Sequence, residues 1–311
     1  MTLTGFVLLY IVATIAIGVI AATRVKNTSD FALAGRSLPL PMVITATFAT
    51  WFGSETILGL PGRFIESGIA GVIEEPFGSG MALILVGTFF AHKLYKQNIL
   101  TLGDYYRDRY GRSVELLCSV AIVISYLGWV GAQVTALGLV INLITEGAVS
   151  MTTGMVIGAA VVLAYTMVGG MWSVAMTDFV QMIVIVVGLV AILWFATDLA
   201  GGMDKVVDYA RGRDLFHAFP EPTTTGWLFW ISAAMTMMIG SIPQQDVFQR
   251  VMSAKNLPTA VAGPILGGSF YILFAFVPMF IVVAAILVMP DAAEKMLSED
   301  PQQLLPTLVR D

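Results

Sequence analysis

Long apolar runs separated by short polar connections make up most of the chain. A helix needs about 20 apolar residues to cross a bilayer core of about 30 Å. Eight segments approach that length, and each is predicted to be a membrane-spanning helix. They lie at roughly residues 3–22, 40–62, 72–92, 115–145, 153–172, 178–200, 226–252 and 262–289. The pattern predicts an all-α polytopic membrane helical bundle.

Two of these spans are interrupted by residues that break helices. The second contains Gly53-Ser54-Glu55 and then Gly59-Leu60-Pro61-Gly62, and the seventh contains Gly240-Ser241-Ile242-Pro243-Gln244-Gln245. Proline removes a backbone donor, and glycine tolerates an unwound backbone. Inside a membrane such a break persists only where protein or a polar cavity satisfies the freed groups. A simple proline kink is the alternative for either break alone.

The two breaks are five spans apart, and each would begin a unit of five helices. Paired breaks at corresponding positions are typical of an inverted-repeat transporter with its site near the midplane. We predict a five-plus-five inverted-repeat (LeuT-like) fold, in which residues 3–22 form an extra N-terminal helix. Residues 40–200 form the first repeat, and residues 226–289 begin the second. On this interpretation residues 1–311 are a transporter-domain fragment, truncated after the second helix of repeat two.

The composition agrees with a membrane location. Hydrophobic residues make up 57% and charged residues 12% of the 311 positions, and the mean hydropathy is +0.84. An average soluble domain has about 25% charged residues. The net charge is -5, and no basic run indicates a nucleic-acid partner. A single cysteine, Cys118, excludes a disulfide framework, and with only two histidines a structural zinc site is not expected.

The positive charges predict the orientation. Residues 1–4 carry no Lys or Arg, whereas Arg24 and Lys26 follow the first span, which is the reverse of a signal peptide. We therefore expect a retained helix with its N-terminus outside. Inside connections then carry ten cations, and outside connections carry six. The ten are Arg24, Lys26, Arg36, Lys93, Lys96, Arg107, Arg109, Arg112, Arg250 and Lys255; the six are Arg63, Lys205, Arg211, Arg213, Lys295 and Arg310.

Polar residues at membrane depth usually face a cavity or a partner. Four positions stand out, which are Glu55, Asp178, Gln133 and the Gln244-Gln245-Asp246 cluster. Glu55 lies in the first break, where a carboxylate and unwound carbonyls could together bind a cation; capping of the next half-helix is the alternative. For Asp178, which begins the sixth predicted span, the alternatives are a cation site and an N-cap at the interface.

Other polar and small residues fit helix packing. The alternative role for Gln133 and Gln181 is a hydrogen bond between neighbouring helices. Gly154 and Gly158 predict a packing face of small residues.

Two tryptophans lie near the predicted break or deep within a span. Trp51 abuts the first break, and Trp129 lies within the fourth span. An aromatic face attracts a cation by about 2 kcal/mol or more when both are desolvated. A cage for an organic cation is one interpretation, and plain packing is the other.

Five segments, taken in order, resemble the sodium:solute symporter family, and most closely its choline-transporter-like members. They are Phe31–Leu38 (FALAGRSL), Thr50–Gly53 (TWFG), Tyr165–Ser173 (YTMVGGMWS), Thr177–Gln181 (TDFVQ) and Ile242–Val251 (IPQQDVFQRV). The resemblance implies a sodium site between the first broken helix and the third helix of the second repeat. The matching carbonyls are those of Ala49 and Phe52, while the hydroxyl ligands would belong to a helix beyond residue 311. Asp178 matches an aspartate linked to a second sodium site in some members.

The resemblance also implies a substrate pocket. Trp51 and Trp129 match two positions of a tryptophan cage, but Gln244 stands at the third and Glu55 replaces a small residue. These departures argue against choline itself and favour a more polar solute or a cation that needs a counter-charge. Proline is not favoured either, because proline-transporting members have an aspartate at the position of Trp51. The predicted pocket is lined by Trp51, Glu55, Thr56, Trp129, Gln133 and Gln244.

The predicted function is sodium-coupled secondary active symport of a small organic solute across the cytoplasmic (plasma) membrane by alternating access. The expected partners are the solute, the sodium ion and the lipid bilayer. No enzyme activity is expected, because no nucleophile and base are paired, and no cofactor is expected beyond Na+ as coupling ion. The alternative is a transporter-like membrane sensor module of a signalling protein, which a kinase region after residue 311 would indicate. A channel would need a filter-like or charge-ring segment, and none is found.

Overall fold

The computed structural model describes residues 3–310, and helices account for most of this range. No β-strand occurs between these limits, where a single bridge joins Leu38 and Ala254. Two 3-10 turns (Ala34–Arg36, Pro301–Gln303) and three π-helical turns (Glu55–Gly59, Ile73–Gly78, Val86–Phe90) lie between or beside the α-helices. The α-helices are α1 (Leu3–Ala22), α2 (Thr28–Leu33), α3 (Leu40–Trp51), α4 (Leu60–Gly71), α5 (Ser79–Leu85), α6 (Ala91–Gln97), α7 (Leu102–Tyr110), α8 (Arg112–Ile144), α9 (Met151–Leu199), α10 (Met203–Gly212), α11 (Thr224–Gly240), α12 (Gln245–Met252), α13 (Leu257–Phe274), α14 (Phe276–Val288), α15 (Pro290–Glu299) and α16 (Leu304–Arg310).

The eight predicted spans fall on these helices in three ways. Five stretches are long and apolar enough to cross a membrane alone, and α11 with α12 forms a sixth, broken span. The shorter apolar helix α3 accounts for the second predicted span up to its break, and α9 contains both the fifth and the sixth. The five stretches are Gly5–Ala22, Ile73–Gln97, Arg112–Ile144, Met151–Leu199 and Leu257–Val288.

The 49-residue helix α9 is two helices that meet at Gly170. Gly170 has φ 49° and ψ −139°, a combination that is essentially confined to glycine. A Cβ atom at this position would lie 2.3 Å from the Phe31 carbonyl oxygen. The absence of a side chain therefore permits both the backbone turn and the close approach of the Phe31 segment.

Both predicted interruptions are confirmed. Helix α3 ends at Trp51, and Phe52 and Gly53 lie outside any helix before the π-helical turn Glu55–Gly59 leads into α4. The Gly53 amide donates to the Trp51 carbonyl at 2.8 Å, two residues back instead of the four of an α-helix. In the second case α11 ends at Gly240, and α12 begins at Gln245 after Pro243 and Gln244.

The chain divides into two compact units that each combine several segments. The first unit comprises the residues up to Thr50, Leu85–Gln181 and Pro243–Gly267. The second comprises Trp51–Ile84, Met182–Ile242 and the residues from Gly268 onward. The predicted division into an N-terminal helix and two inverted repeats stays a prediction.

In the first unit, the segment before α3 is hydrogen-bonded to the segment after α12. The Leu38 amide donates to the Ser253 carbonyl, and the Lys255 amide donates to the Leu38 carbonyl, both at 3.0 Å. Arg36 lies over the Tyr95 ring, with its guanidinium carbon 4.0 Å from the centroid, and donates to the Tyr95 carbonyl at 2.7 Å. The Tyr95 hydroxyl in turn donates to the Ala254 carbonyl at 2.8 Å. These contacts hold the start of α3, next to Leu38, close to the end of α12, next to Ala254.

Small residues allow close helix packing within each unit. Gly154 on α9 approaches Gly138 on α8, and a Cβ added there would lie 3.2 Å from the Gly138 Cα. Gly158 packs in the same way against Leu137, so the packing face predicted for Gly154 and Gly158 is confirmed. In the second unit Gly80 approaches Gly268, and a Cβ on Gly80 would lie 2.9 Å from the Gly268 carbonyl oxygen.

Candidate functional site

A buried carboxylate with two hydroxyl partners lies in the second unit. Glu75 is 8% exposed, and both Thr56 and Tyr271 have no exposed surface. The Thr56 hydroxyl donates to Glu75 Oε1 at 2.8 Å, and the Tyr271 hydroxyl donates to the same oxygen. The two hydroxyl oxygens are 3.0 Å apart. A carboxylate and two hydroxyls therefore form one hydrogen-bonded cluster, which we call the Glu75 cluster.

Three elements position the Glu75 cluster. Thr56 belongs to the π-helical turn that follows the first break, and its hydroxyl oxygen is also 3.1 Å from the Trp51 carbonyl. Glu75 lies within the π-helical turn Ile73–Gly78, where its backbone is extended (φ −140°, ψ 124°). Tyr271 lies on α13, and its ring meets the Phe52 ring edge-on with centroids 6.0 Å apart. The cluster therefore borders the break itself.

Glu55 has different surroundings from those of Glu75. Its side chain is 47% exposed, and Oε1 lies 3.8 Å from Nη2 of Arg63, which is itself 55% exposed. Exposed ion pairs of this length contribute little to stability. Neither the π-helical turn nor α4 has a side-chain cap at its start, so the alternative role of Glu55 as a helix cap is wrong. Its predicted role in the pocket stays a prediction.

The six residues predicted to line the substrate pocket belong to both units. Trp51, Glu55 and Thr56 lie in the second unit, where Trp51 is 8% exposed and Thr56 is part of the Glu75 cluster. Trp129, Gln133 and Gln244 lie in the first unit. The convergence of all six on one pocket stays a prediction.

Two of the three first-unit residues are half-buried, and the third is more exposed. Trp129 on α8 is 42% exposed, and its ring meets the Tyr126 ring edge-on at 6.5 Å. Gln133 on α8 and Gln244 in the second break are half-buried. The Tyr126 hydroxyl donates to Asp246 Oδ1 at 2.7 Å, which ties α8 to the first residues of α12.

Asp178, the predicted sodium ligand, lies inside α9 and not at a helix start. Its alternative role as an N-cap is wrong, because the helix resumes directly after Gly170, a full two turns before Asp178. Asp178 Oδ2 is buried and has no hydrogen-bond partner among residues 3–310, and the same holds for Arg250 Nε. The Arg250 guanidinium lies near enough to act on the Asp178 carboxylate electrostatically.

The two backbone carbonyls predicted for sodium belong to the first break. Ala49 is half-buried in the last turn of α3, and Phe52 is 2% exposed within the break. In a continuous helix the Gly53 amide would donate to the Ala49 carbonyl, but here it donates to the Trp51 carbonyl. Ala49 lies in the first unit, with Asp178, and Phe52 in the second, so a site shared by these three residues stays a prediction.

Glu75 and Tyr271 were not predicted from the sequence. The available signal was the pair Glu74-Glu75 inside the third apolar span, since an acidic residue at membrane depth indicates a functional position. Nothing in the local pattern marks Tyr271 as its partner, because 196 residues separate the two.

Comparison with known proteins gives choline transporters and a sodium/glucose cotransporter among the proteins similar to this chain. The high-affinity choline transporter 1 of Drosophila melanogaster is 28% identical over 88% of this chain and 44% of its own length. The human high-affinity choline transporter 1 is 29% identical over 80% of this chain and 44% of its own length. Sodium/glucose cotransporter 4 of Danio rerio is 28% identical over 89% of this chain. The chain thus spans less than half the length of the curated relatives it matches.

A solved structure shares the fold. The substrate-bound outward-open state of a Na+-coupled sialic acid symporter superposes with a TM-score of 0.81 at 18% identity, covering 96% of this chain and 63% of that one. The predicted all-α, five-plus-five inverted-repeat (LeuT-like) fold is confirmed by this likeness. The profile of the sodium:solute symporter family matches residues 31–311. The chain therefore belongs to the sodium:solute symporter family.

Proposed function

We propose that this chain takes part in sodium-coupled symport of a small organic solute across the plasma membrane by alternating access. The pair of broken spans carries this proposal, because unwound backbone near the midplane is where such transporters bind ion and solute. Family membership and the transporters among its relatives support it. Coupling requires that sodium raise the affinity for the solute, typically by about 1–3 kcal/mol, and that the solute do the same for sodium.

Sodium is proposed to bind to the Ala49 and Phe52 carbonyls and, at a second position, to Asp178. The irregular hydrogen bond of Gly53 supports the first part, because it leaves the Ala49 carbonyl without the donor that a continuous helix provides. The unpartnered Asp178 Oδ2 supports the second, since a buried carboxylate oxygen without a hydrogen bond is a suitable ligand for a small hard cation.

The solute is proposed to contact Trp51, Glu55, Thr56, Trp129, Gln133 and Gln244. Trp51 and Thr56 have the most direct support, since one ends α3 at the first break and the other follows that break. The Thr56 hydroxyl oxygen is also 3.1 Å from the Trp51 carbonyl oxygen, so the two residues are in contact across the break.

The N-terminus is proposed to lie outside. All ten Lys and Arg residues assigned to inside connections belong to the first unit, and all six assigned to outside connections belong to the second. The larger number of cations on the connections assigned to the inside supports this orientation.

Uptake into proteoliposomes tests the proposed function. We expect accumulation of a solute from a panel of amines, quaternary ammonium compounds, sugars, amino acids and carboxylates when an inward sodium gradient is applied. Replacement of external sodium chloride by potassium chloride is expected to reduce initial uptake by at least about 5-fold, the lower end of typical coupling. Binding of a solute without sodium-driven uptake would favour the sensor alternative.

Replacement of Trp51 is expected to separate a cation-binding role from packing. Trp51→Ala should weaken the binding of a cationic solute by roughly 30-fold, equivalent to about 2 kcal/mol, whereas Trp51→Phe keeps an aromatic face and should lose much less. Solute affinity of the purified variants measures the difference. Trp194→Ala is the control, because Trp194 is 70% exposed. Equal losses in the Ala and Phe variants of Trp51 would argue that Trp51 only fills space.

A further inference from the structure

The Glu75 carboxylate is hydrogen-bonded on one side only. Both hydroxyl donors, those of Thr56 and Tyr271, bind Oε1. The other oxygen, Oε2, receives no hydrogen bond from residues 3–310, yet it does not belong to the fully buried atoms without a partner. Glu75 as a whole keeps 8% of its surface. Oε2 is therefore not fully buried and can accept a further hydrogen bond.

No basic side chain within the described residues forms a close ion pair with Glu75, and the electrostatic effect of Arg63 on it is opposed by that of Glu55. No ion pair within 4.0 Å involves Glu75 in the described part of the chain, and the cation on the neighbouring helix α4, Arg63, lies 3.8 Å from Glu55 instead. A buried carboxylate without a counter-charge is unfavourable, and two hydroxyl donors compensate for only part of the lost hydration. The protein thus supplies no close counter-ion to the Glu75 cluster, and a bound cationic ligand would supply one.

The donors and acceptors of the Glu75 cluster fit a particular kind of cation. The groups it offers are oxygen atoms in hydrogen-bonding geometry, and the Tyr271 ring is already occupied edge-on by Phe52. A protonated primary or secondary amine can donate N–H groups to Oε2 and to the hydroxyl oxygens. A quaternary ammonium has no N–H to donate and is bound through aromatic faces instead.

We propose that the Glu75 cluster binds the protonated amine of the transported solute, which is therefore a primary or secondary amine and not a quaternary ammonium compound. This inference rests on the proposed function, since it names the solute class of the same transporter. Thr56 connects the cluster to the first break, because it follows that break and its hydroxyl oxygen is 3.1 Å from the Trp51 carbonyl oxygen. An amine bound to Glu75 would thus act directly on the broken helix.

Matched pairs of amines test the proposal on the purified protein in nanodiscs containing sodium chloride. The pairs are ethanolamine with choline and glycine with glycine betaine, which differ only in the replacement of N–H by N-methyl. Binding is followed by calorimetry, and the same compounds compete against uptake in proteoliposomes. We expect the amine of at least one pair to bind, at least about 10-fold more tightly than its trimethylated partner. The proposal would be overturned if a quaternary compound bound as tightly as its amine partner or more tightly. It would also be overturned if the solute with the highest affinity had no N–H group.

Glu75→Gln keeps one acceptor oxygen for the two hydroxyls, removes the charge, and replaces the second carboxylate oxygen by an NH2 donor. We expect it to weaken amine binding by roughly 30-fold or more and to abolish the preference within the pair. Glu74→Gln is the control, because Glu74 is adjacent and half-buried but lies outside the cluster. If Glu75→Gln leaves amine affinity unchanged, or changes only the sodium dependence, Glu75 does not bind the amine.

Two further measurements keep the result interpretable. Tyr271→Phe removes one hydroxyl and leaves the carboxylate, so it should weaken amine binding several-fold while the amine stays the tighter member of each pair. If Glu75→Gln does not fold, the proposal is tested by the amine affinity of Tyr271→Phe and by which member of each pair the wild type binds more tightly. Sodium-driven uptake of a solute that has no amino group would overturn the amine proposal alone, whereas amine binding without any sodium-driven uptake would overturn the transport function and leave the amine site standing.

Discussion

Asp178→Asn is expected to abolish or strongly weaken the stimulation of uptake by sodium. Asparagine has nearly the same shape as aspartate, so the variant removes the charge of Oδ2 without leaving a cavity. That oxygen is buried and unpartnered in the structure. Loss of one partner of a buried charge pair typically costs about 2–5 kcal/mol, which corresponds to at least roughly 30-fold in sodium affinity. Initial uptake rates measured across a series of sodium concentrations, with potassium as replacement, report this change.

A matched control is available on the same helix. Asp198 also lies on α9, but its side chain is exposed. Asp198→Asn removes one negative charge from the same helix and should leave the sodium dependence as it is in the wild type. If uptake by Asp178→Asn depends on sodium in the same way as uptake by Asp198→Asn, Asp178 has no role in coupling.

Arg250 provides a competing explanation that the same experiment separates. Its guanidinium acts on Asp178 electrostatically, and its own buried Nε lacks a hydrogen-bond partner. If Asp178 serves only to neutralise Arg250, Asp178→Asn should lower the melting temperature and leave the sodium dependence of the remaining uptake unchanged. If Asp178 binds sodium, the melting temperature measured without sodium should change little, and the stabilisation by added sodium should disappear.

The helix breaks and the membrane spans could be predicted because both are local properties. A span is read from the length of an apolar run, and a break from glycine and proline within it, as at Gly53 and Pro243. The same holds for the packing face of Gly154 and Gly158, whose spacing places them on one side of a helix. None of these features requires knowledge of which distant segments meet.

The interior of the candidate site could not be predicted in this way. The hydroxyl contact between Thr56 and Tyr271 joins residues 215 positions apart. Apolar periodicity says that α13 is buried in part but not which span its tyrosine faces. The buried carboxylate beside the break is Glu75, whereas the sequence drew attention to Glu55, whose side chain is 47% exposed.

The role of Asp178 shows how a correct signal can give a wrong boundary. The predicted boundary between the fifth and sixth spans lies at residues 173–177, whereas the helix is interrupted at Gly170 alone. The polar residues that follow, Ser173 and Thr177, are buried within the resumed helix, and each hydroxyl donates to a backbone carbonyl. A polar stretch after two glycines resembles a loop and a cap, although here it is a buried helix face that ends in Asp178.

Gly170→Ala is expected to prevent correct folding or to lower stability severely. An alanine would have to adopt φ 49° and ψ −139°, where a Cβ is unfavourable by about 1–2 kcal/mol or more. Its methyl group would also lie 2.3 Å from the Phe31 carbonyl oxygen, which is backbone and cannot rotate away. Overpacking adds about 1–3 kcal/mol. Thermal unfolding of the detergent-solubilised variant, followed by size-exclusion chromatography with fluorescence detection, should show a large loss of monodisperse protein.

Gly188→Ala isolates the reason, because it makes the same substitution in the same helix. A Cβ at Gly188 meets nothing within 4 Å, and the backbone there is helical. Alanine favours a helix over glycine by about 1 kcal/mol, so this variant should be as stable as the wild type or slightly more stable. If Gly170→Ala were equally well tolerated, α9 could run straight through residue 170. The Phe31 segment would then have to move away from α9, and the fastening of that segment to α12, through the bond from Gln249 Nε2 to the Ala32 carbonyl, would be lost with it.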